Sequence, residues 1–263
     1  MNKGQVNRAF SIVLLVFAIF VAAPSLMGAK AAKGDGSSWT VRSAPLGEIA
    51  HGNGTFVAVG AFGTILTSKD GRVWTAQDSG TDNLLSGIAY GNGTFVVVGE
   101  GGTILTSREG ERWTERGSGT SEFLTAATYG NGTFVVVSDH DTILTSKDGR
   151  KWTKQNSGTE AVLFGVTYGN GTFVAVGALG TILTSRDGRK WTKQYSGEVG
   201  VYGVTYGNGT FVAVGAFGTI LTSRDGRKWT KQNSGAEEHL YGAAYGNGTF
   251  VVVGYGGTIL TSP

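Results

Sequence analysis

Short runs such as Phe173-Val174-Ala175-Val176, apolar at every position, recur along the chain between clusters of glycine, asparagine and aspartate. They are too short and too rich in β-branched and aromatic residues for helices, and no helical spacing links one run to the next, so they predict strands. A strand without polar alternation is one covered on both faces. Each run follows a Gly-Asn-Gly-Thr-Phe motif whose phenylalanines are Phe56, Phe95, Phe134, Phe173, Phe211 and Phe250, at spacings of 39, 39, 39, 38 and 39. Trp39, Trp74, Trp113, Trp152, Trp191 and Trp229 recur alongside them, at spacings of 35, 39, 39, 39 and 38. A period near 40 with several short strands per unit predicts an all-β fold, a six-bladed β-propeller of four-stranded antiparallel blades. In the fourth unit the strands fall at about 163–168, 172–176, 181–184 and 191–194. Asn-Gly and Asp-Gly pairs between them are expected to supply the left-handed residues that tight hairpins need.

The phase of the repeat predicts how the ring shuts. Trp39 precedes the first phenylalanine of the series, and Thr261-Ser262 follows directly on a third strand. The strand at 38–42 is therefore expected to pair with 258–261 and complete the last blade, which removes an open sheet edge. The propeller spans 38–263, preceded by a flexible lead-in at 32–37.

Residues 1–31 differ in kind. Lys3 and Arg8 precede an apolar run at 9–23, followed by Pro24 and by Ala29-Lys30-Ala31, the three regions of a secretory leader with cleavage after Ala31. Uncleaved, residues 9–29 are about long enough to act as an inner-membrane anchor. The chain is thus expected in the periplasm or outside the cell, with membrane contact only through that segment. Glycine supplies 45 of 263 residues, about twice the usual share, without the every-third spacing of collagen, so turns are dense. Cysteine is absent, which excludes disulfides and thiolate metal sites. A formal net charge of +3 with interleaved acids argues against nucleic acid as a partner.

The stretch Thr184-Ser185-Arg186-Asp187-Gly188-Arg189-Lys190-Trp191-Thr192 resembles the hairpin of the Asp-box, or BNR-repeat, propellers. The whole unit resembles that of exported bacterial proteins with photosystem II assembly and stability factor-like (WD/YVTN/BNR-like) repeats. The Asp-box usually holds one residue between aspartate and glycine, whereas Asp70-Gly71, Asp148-Gly149, Asp187-Gly188 and Asp225-Gly226 are adjacent here, and copy two has Glu109-Gly110. The resemblance implies a structural hairpin and a fold, not an activity. Sialidases also carry Asp boxes, and the resemblance implies for them arginines gathered at the channel mouth. Beyond Arg42, every lysine and arginine of this chain falls in a third-to-fourth-strand hairpin or a fourth strand. The expected function is a non-catalytic, monomeric binding or assembly scaffold without cofactor or metal; the alternatives are a multivalent lectin and a sialidase-type glycosidase.

Close copying makes departures informative. First strands run from a "top" rim down to the Gly-Asn-Gly turns, so the top rim carries the links between blades and those between second and third strands. Among the latter Asp139-His140-Asp141 is the odd member, a candidate binding cluster because carboxylate and imidazole suit a metal or a polar ligand. Glu100 and Glu160 are further top-rim acids, and Glu48 replaces the Gly or Ala of the other first strands, where it would face the channel. Phe164, Tyr202 and Tyr241 hold one position in three successive blades where Gly47, Ser86 and Thr125 stand in the others, an arc that suits stacking on a peptide or glycan. The top links carry acids without bases, so the disk is expected to be electrically two-sided, its top meeting an unknown protein or glycan.

Overall fold

The computed structural model describes residues 46–195 and 197–262, and the leader, the lead-in and the strand at 38–42 lie outside the described residues. It is an all-β, six-bladed propeller. Blade one holds β1 (Leu46–Gly52), β2 (Thr55–Gly60), β3 (Ile65–Ser68) and β4 (Thr75–Gln77). Blade two holds β5 (Leu85–Gly91), β6 (Thr94–Gly99), β7 (Ile104–Ser107) and β8 (Thr114–Glu115). Blade three holds β9 (Leu124–Gly130), β10 (Thr133–Ser138), β11 (Thr142–Ser146) and β12 (Thr153–Asn156). Blade four holds β13 (Leu163–Gly169), β14 (Thr172–Gly177), β15 (Thr181–Ser185) and β16 (Thr192–Tyr195). Blade five holds β17 (Val201–Gly207), β18 (Thr210–Gly215), β19 (Ile220–Ser223) and β20 (Thr230–Gln232). Blade six holds β21 (Leu240–Gly246), β22 (Thr249–Gly254) and β23 (Ile259–Ser262). Every blade is an antiparallel meander, and first strands of successive blades lie side by side from β1 to β21.

Burial of the second strands on both faces is as expected. Phe173, Val174, Ala175 and Val176 are all fully buried: Phe173 and Ala175 face Val135, Val137 and Ile143 of blade three, whereas Val174 and Val176 meet Phe211 and Ala213 of blade five. Between first and second strands, Asn170 (φ 45°) and Gly171 (φ 73°) make the two-residue turn with both centres left-handed, the type whose twist suits a hairpin. Just before it, the Tyr168 ring packs on Phe173 at 4.6 Å and covers Gly130 of blade three. A side chain at Gly130 would meet that ring 2.0 Å away, so the blades mesh here only because the position is glycine.

The third-to-fourth-strand hairpin departs from expectation. Its glycine is left-handed (Gly188, φ 75°) but Asp187 is not. Instead the carboxylate caps the turn: Asp187 Oδ1 accepts the N–H groups of Arg189 (2.9 Å) and Lys190 (3.1 Å), while Ser185 Oγ accepts that of Gly188 and the Trp191 indole donates to the Gly188 carbonyl. At the first copy the N–H groups of Val73 and Arg72 hold Asp70 below the usual carboxylate range. In copy two, where Glu109 replaces aspartate, the turn retains the Gly110 and Trp113 bonds, and the following strand, β8, is only two residues long.

Candidate functional site on the top face

Each first strand carries a register shift one residue in from the top, so that Leu163 pairs with Gly177 and Gly165 with Val176, leaving Phe164 unpaired between them. The same bulge isolates Gly47, Ser86, Thr125, Tyr202 and Tyr241. A bulge re-aims the side chain it releases. Six such positions therefore ring the channel mouth; Gly47 leaves one bare, and the chain fills the other five in two ways. Ser86 and Thr125 turn their hydroxyls onto the next blade, Thr125 Oγ1 donating to the Leu163 carbonyl at 2.7 Å. Phe164, Tyr202 and Tyr241 project half-buried rings instead.

These rings form one continuous surface. Phe164 meets Tyr202 edge-on at 5.6 Å, and Tyr202 lies 5.9 Å from Tyr241. His239 extends the surface outward, 6.0 Å from Tyr202 and 5.1 Å from Phe217, and its Nδ1 accepts the Phe217 N–H at 3.3 Å. The Tyr202 ring lies over Gly200, where a side chain would meet it at 3.0 Å. Burial, then the nearby Tyr241, raises the Tyr202 phenol; burial, then Tyr255 and Glu238, raises that of Tyr241. Both stay neutral donors at ordinary pH. Around the same rim Phe62, Leu179 and Phe217 stand 74%, 66% and 68% exposed at φ values of 54°, 54° and 52°. Gly101 and Gly256 take that conformation at the matching places in blades two and six. A bulky residue there costs about 1–2 kcal/mol of backbone strain, and exposed side chains recover little of it by packing.

Asp139, His140 and Asp141 form a knitted corner on blade three. Asp139 Oδ1 accepts the Phe123 N–H at 3.0 Å and lies 3.0 Å from His140 Nδ1, a bond that raises the imidazole. Glu122 binds the loop from beneath, with Oε1 and Oε2 each 2.7 Å from the hydroxyls of Thr142 and Ser138. Burial opposes its charge, but those hydroxyls and Lys154 together leave its carboxyl below the usual range. Lys154 corrects the expectation of a base-free top: from β12 its ammonium reaches Glu122 (3.6 Å) and Asp141 (3.8 Å). His140 and His239 belong to separate surroundings, and among the described residues no three His, Asp or Glu side chains are grouped to hold a metal ion.

Glu48 turns along the channel wall to blade two, where Oε2 accepts the Ile88 N–H at 2.7 Å. Desolvation pushes its carboxyl up to about 7 against that bond, while the residue keeps solvent access through the mouth. Glu100 and Glu160 are exposed on the rim without an ion-pair partner among the described residues. Thus the structure joins Phe164, Tyr202 and Tyr241, joins Asp139 to His140, and leaves Glu48, Glu100 and Glu160 apart. Sequence reasoning missed His239 and Phe217 as members of the arc and Glu122 as the anchor of the acidic corner. The aromatic character of the first two was the available signal.

No family model and no curated protein matches the chain. Solved structures do. The computationally designed Ika8 protein matches at 13% identity and a TM-score of 0.66, over 82% of this chain and 70% of that one. YCF48 from Cyanidioschyzon merolae matches at 15% identity and a TM-score of 0.52, over 82% and 94%. YCF48 bound to D1 peptide matches at 15% identity and a TM-score of 0.46, over 82% and 90%. At these identities the likeness to the first two is one of fold alone.

Proposed function

We propose that this chain is a non-catalytic binding scaffold whose top face receives a protein partner, with Phe164, Tyr202, Tyr241, His239 and Phe217 as the anchor. The observation that carries this reading is the aromatic arc itself. The bulge positions accept Gly, Ser or Thr in blades one to three, so the fold does not require rings there; half-exposed stacked rings supply large, rigid contact area at little entropic cost. The strained, exposed Phe62 and Leu179 on the same rim point the same way, since local strain without an internal reward is characteristic of contact surfaces. The exposed acid Glu160, in the link that leads into blade four, suits a partner carrying apolar and basic side chains. The Ser–Asp–Gly–Trp hairpin supports kinship with Asp-box propellers, and the leader supports export; we take the mature protein to be a monomer without cofactor.

The test is capture of the partner from the native envelope by the full chain and by a Phe164→Ser/Tyr202→Ser/Tyr241→Ser variant, which copies the residue of blade two. Loss of capture with an unchanged melting profile is the expected outcome. Retained capture by that variant, with loss on neutralising Lys193 and Lys231, would move the working surface to the outer basic hairpins. A glycan is the second reading, favoured because ring faces also stack on sugars; it predicts one binding site per chain, since only one arc exists among the described residues.

A further inference from the structure

On the side of the disk opposite the aromatic arc, the hairpin between β19 and β20 of blade five lies over the outer half of blade four. Two contacts fix it there. A side chain at Gly226 would stand 2.9 Å from Val174, so the turn rests on the blade before it, and Asn170 Nδ2 donates to the Arg224 carbonyl at 3.3 Å. Beside this overlap opens a groove of about 590 Å³ whose wall includes the hydroxyl residues Thr172, Thr184 and Thr192 and the cations Arg186, Lys190 and Arg227. Arg186 and Arg227 also border an adjoining space of about 400 Å³. Two blades thus bring three positive charges to one concave place.

Those charges are not cancelled locally. Among the described residues none of the three cationic side chains has a hydrogen-bond or ion-pair partner. The acids nearby are committed to their own turns: Asp187 Oδ1 accepts from Ser185 Oγ and from the N–H groups of Arg189 and Lys190, and Asp225 Oδ1 accepts the corresponding three bonds in blade five. Other junctions differ. In blade three Lys147 takes the place of Arg186 and donates to Thr133 Oγ1, the counterpart of Thr172, at 2.6 Å. Between blades one and two, Val73 and Glu111 stand where Lys190 and Arg227 stand here. Between blades two and three, Arg108, Arg112 and Arg150 repeat the three charges and supply an internal comparison.

We propose that the groove between blades four and five binds a phosphate monoester. The wall offers cationic donors, and a guanidinium donates two parallel N–H groups to two oxygens of an oxyanion. A carboxylate has only two oxygens for three cations, whereas a phosphate monoester presents three unesterified oxygens and close to two negative charges. Arg186 and Arg227 grip it from the two blades, Lys190 adds charge, and the threonine hydroxyls flank it. This site is separate from the aromatic arc and independent of the partner bound there.

The test uses the full chain with two probes that share one head group, soluble glycerol 1-phosphate and vesicles containing phosphatidic acid, with phosphatidylcholine vesicles as the blank for any binding by the apolar leader. Titration calorimetry should show one saturable site per chain for the soluble probe. Arg186→Gln/Arg227→Gln should weaken it by at least about tenfold, and Arg108→Gln/Arg150→Gln should bind as the parent does. Should the first variant fail to fold, Arg186→Lys, which keeps the charge and loses the fork, should still show a several-fold loss. Tighter binding to phosphatidic acid vesicles than to the soluble probe, lost in the Arg186/Arg227 variant, would identify a lipid as the source of the phosphate; equal affinity would identify a soluble ester. Absence of saturable binding to both probes, unchanged binding by the Arg186/Arg227 variant, or an equal loss in the Arg108/Arg150 variant would overturn the proposal.

Discussion

The junction between blades three and four and the one between blades six and one are built from the same repeat and differ in outcome. At the first, Phe173 is fully buried between Val135, Val137 and Tyr168, and Trp191 closes the outer side. At the second, Val251, Val253 and Ile259 of blade six remain 37%, 45% and 68% exposed. The position over Gly246 is open where Tyr168 covers Gly130, and blade one offers His51 where the other blades have tyrosine. Among the described residues β21 and β1 lack the close approach seen at the other five junctions. Identical strands are therefore not sufficient for a closed core. The ring stack over glycine is what distinguishes a packed junction from an open one: blades five and six pack without a tryptophan among the described residues, whereas the junction of blades six and one stays open although blade one carries Trp74.

The largest effect that would test this contrast comes from the phenylalanines. Phe173→Ala should destabilise by about 3–5 kcal/mol in urea unfolding, as for a large aromatic lost from a packed core, and Phe56→Ala, on the open side of blade one, by less than half of that. Equal losses would show that blade one is as tightly covered as blade four.

Glu48, also on blade one, should produce the next effect. Its raised pKa means that the unfolded chain gives up the proton first as pH rises, so the folded state loses stability between about pH 4.5 and 7. Glu48→Gln should remove that decline and stabilise the protein at pH 8 by about 1 kcal/mol, a value reduced from the full shift because the residue keeps solvent access. A variant with the same pH profile as the parent would place the carboxylate in ordinary solvent. The smallest effect concerns the hairpins: Glu109→Asp in copy two should restore the cap seen at Asp148 and add about 0.5–1 kcal/mol, read from the midpoint of thermal unfolding.

The strands were legible in the sequence because their signals are local. The Asn-Gly turns and the unbroken apolar runs fix where a strand ends and that it is covered on both sides, as Phe173 to Val176 show. The channel mouth was legible only in part. The shared position of Phe164, Tyr202 and Tyr241 could be read from the repeat, but the bulge that turns them outward leaves no residue signature, since Gly, Ser, Thr, Phe and Tyr all occupy it. Lys154 illustrates a second limit. Its place on a fourth strand suggested the outer wall, and a long flexible stem carries its charge to Asp141 and Glu122 on the rim. Asp187 shows a third: the pair Asp-Gly signals a turn, yet the aspartate contributes as a hydrogen-bond acceptor rather than through its backbone angle.

The meshing of a tyrosine ring with the glycine of the blade before it has a consequence for how such a gene can change. Each of the five packed junctions presents the same lock on one side and the same key on the other, with Gly52, Gly91, Gly130, Gly169 and Gly207 receiving Tyr90, Tyr129, Tyr168, Tyr206 and Tyr245. Recombination that gains or drops one whole unit between such copies leaves each surviving lock with a fitting key, whereas a break within a unit orphans one of each. Duplication is the mutation this architecture accommodates most readily, and only the atypical blades one and six set a limit to it.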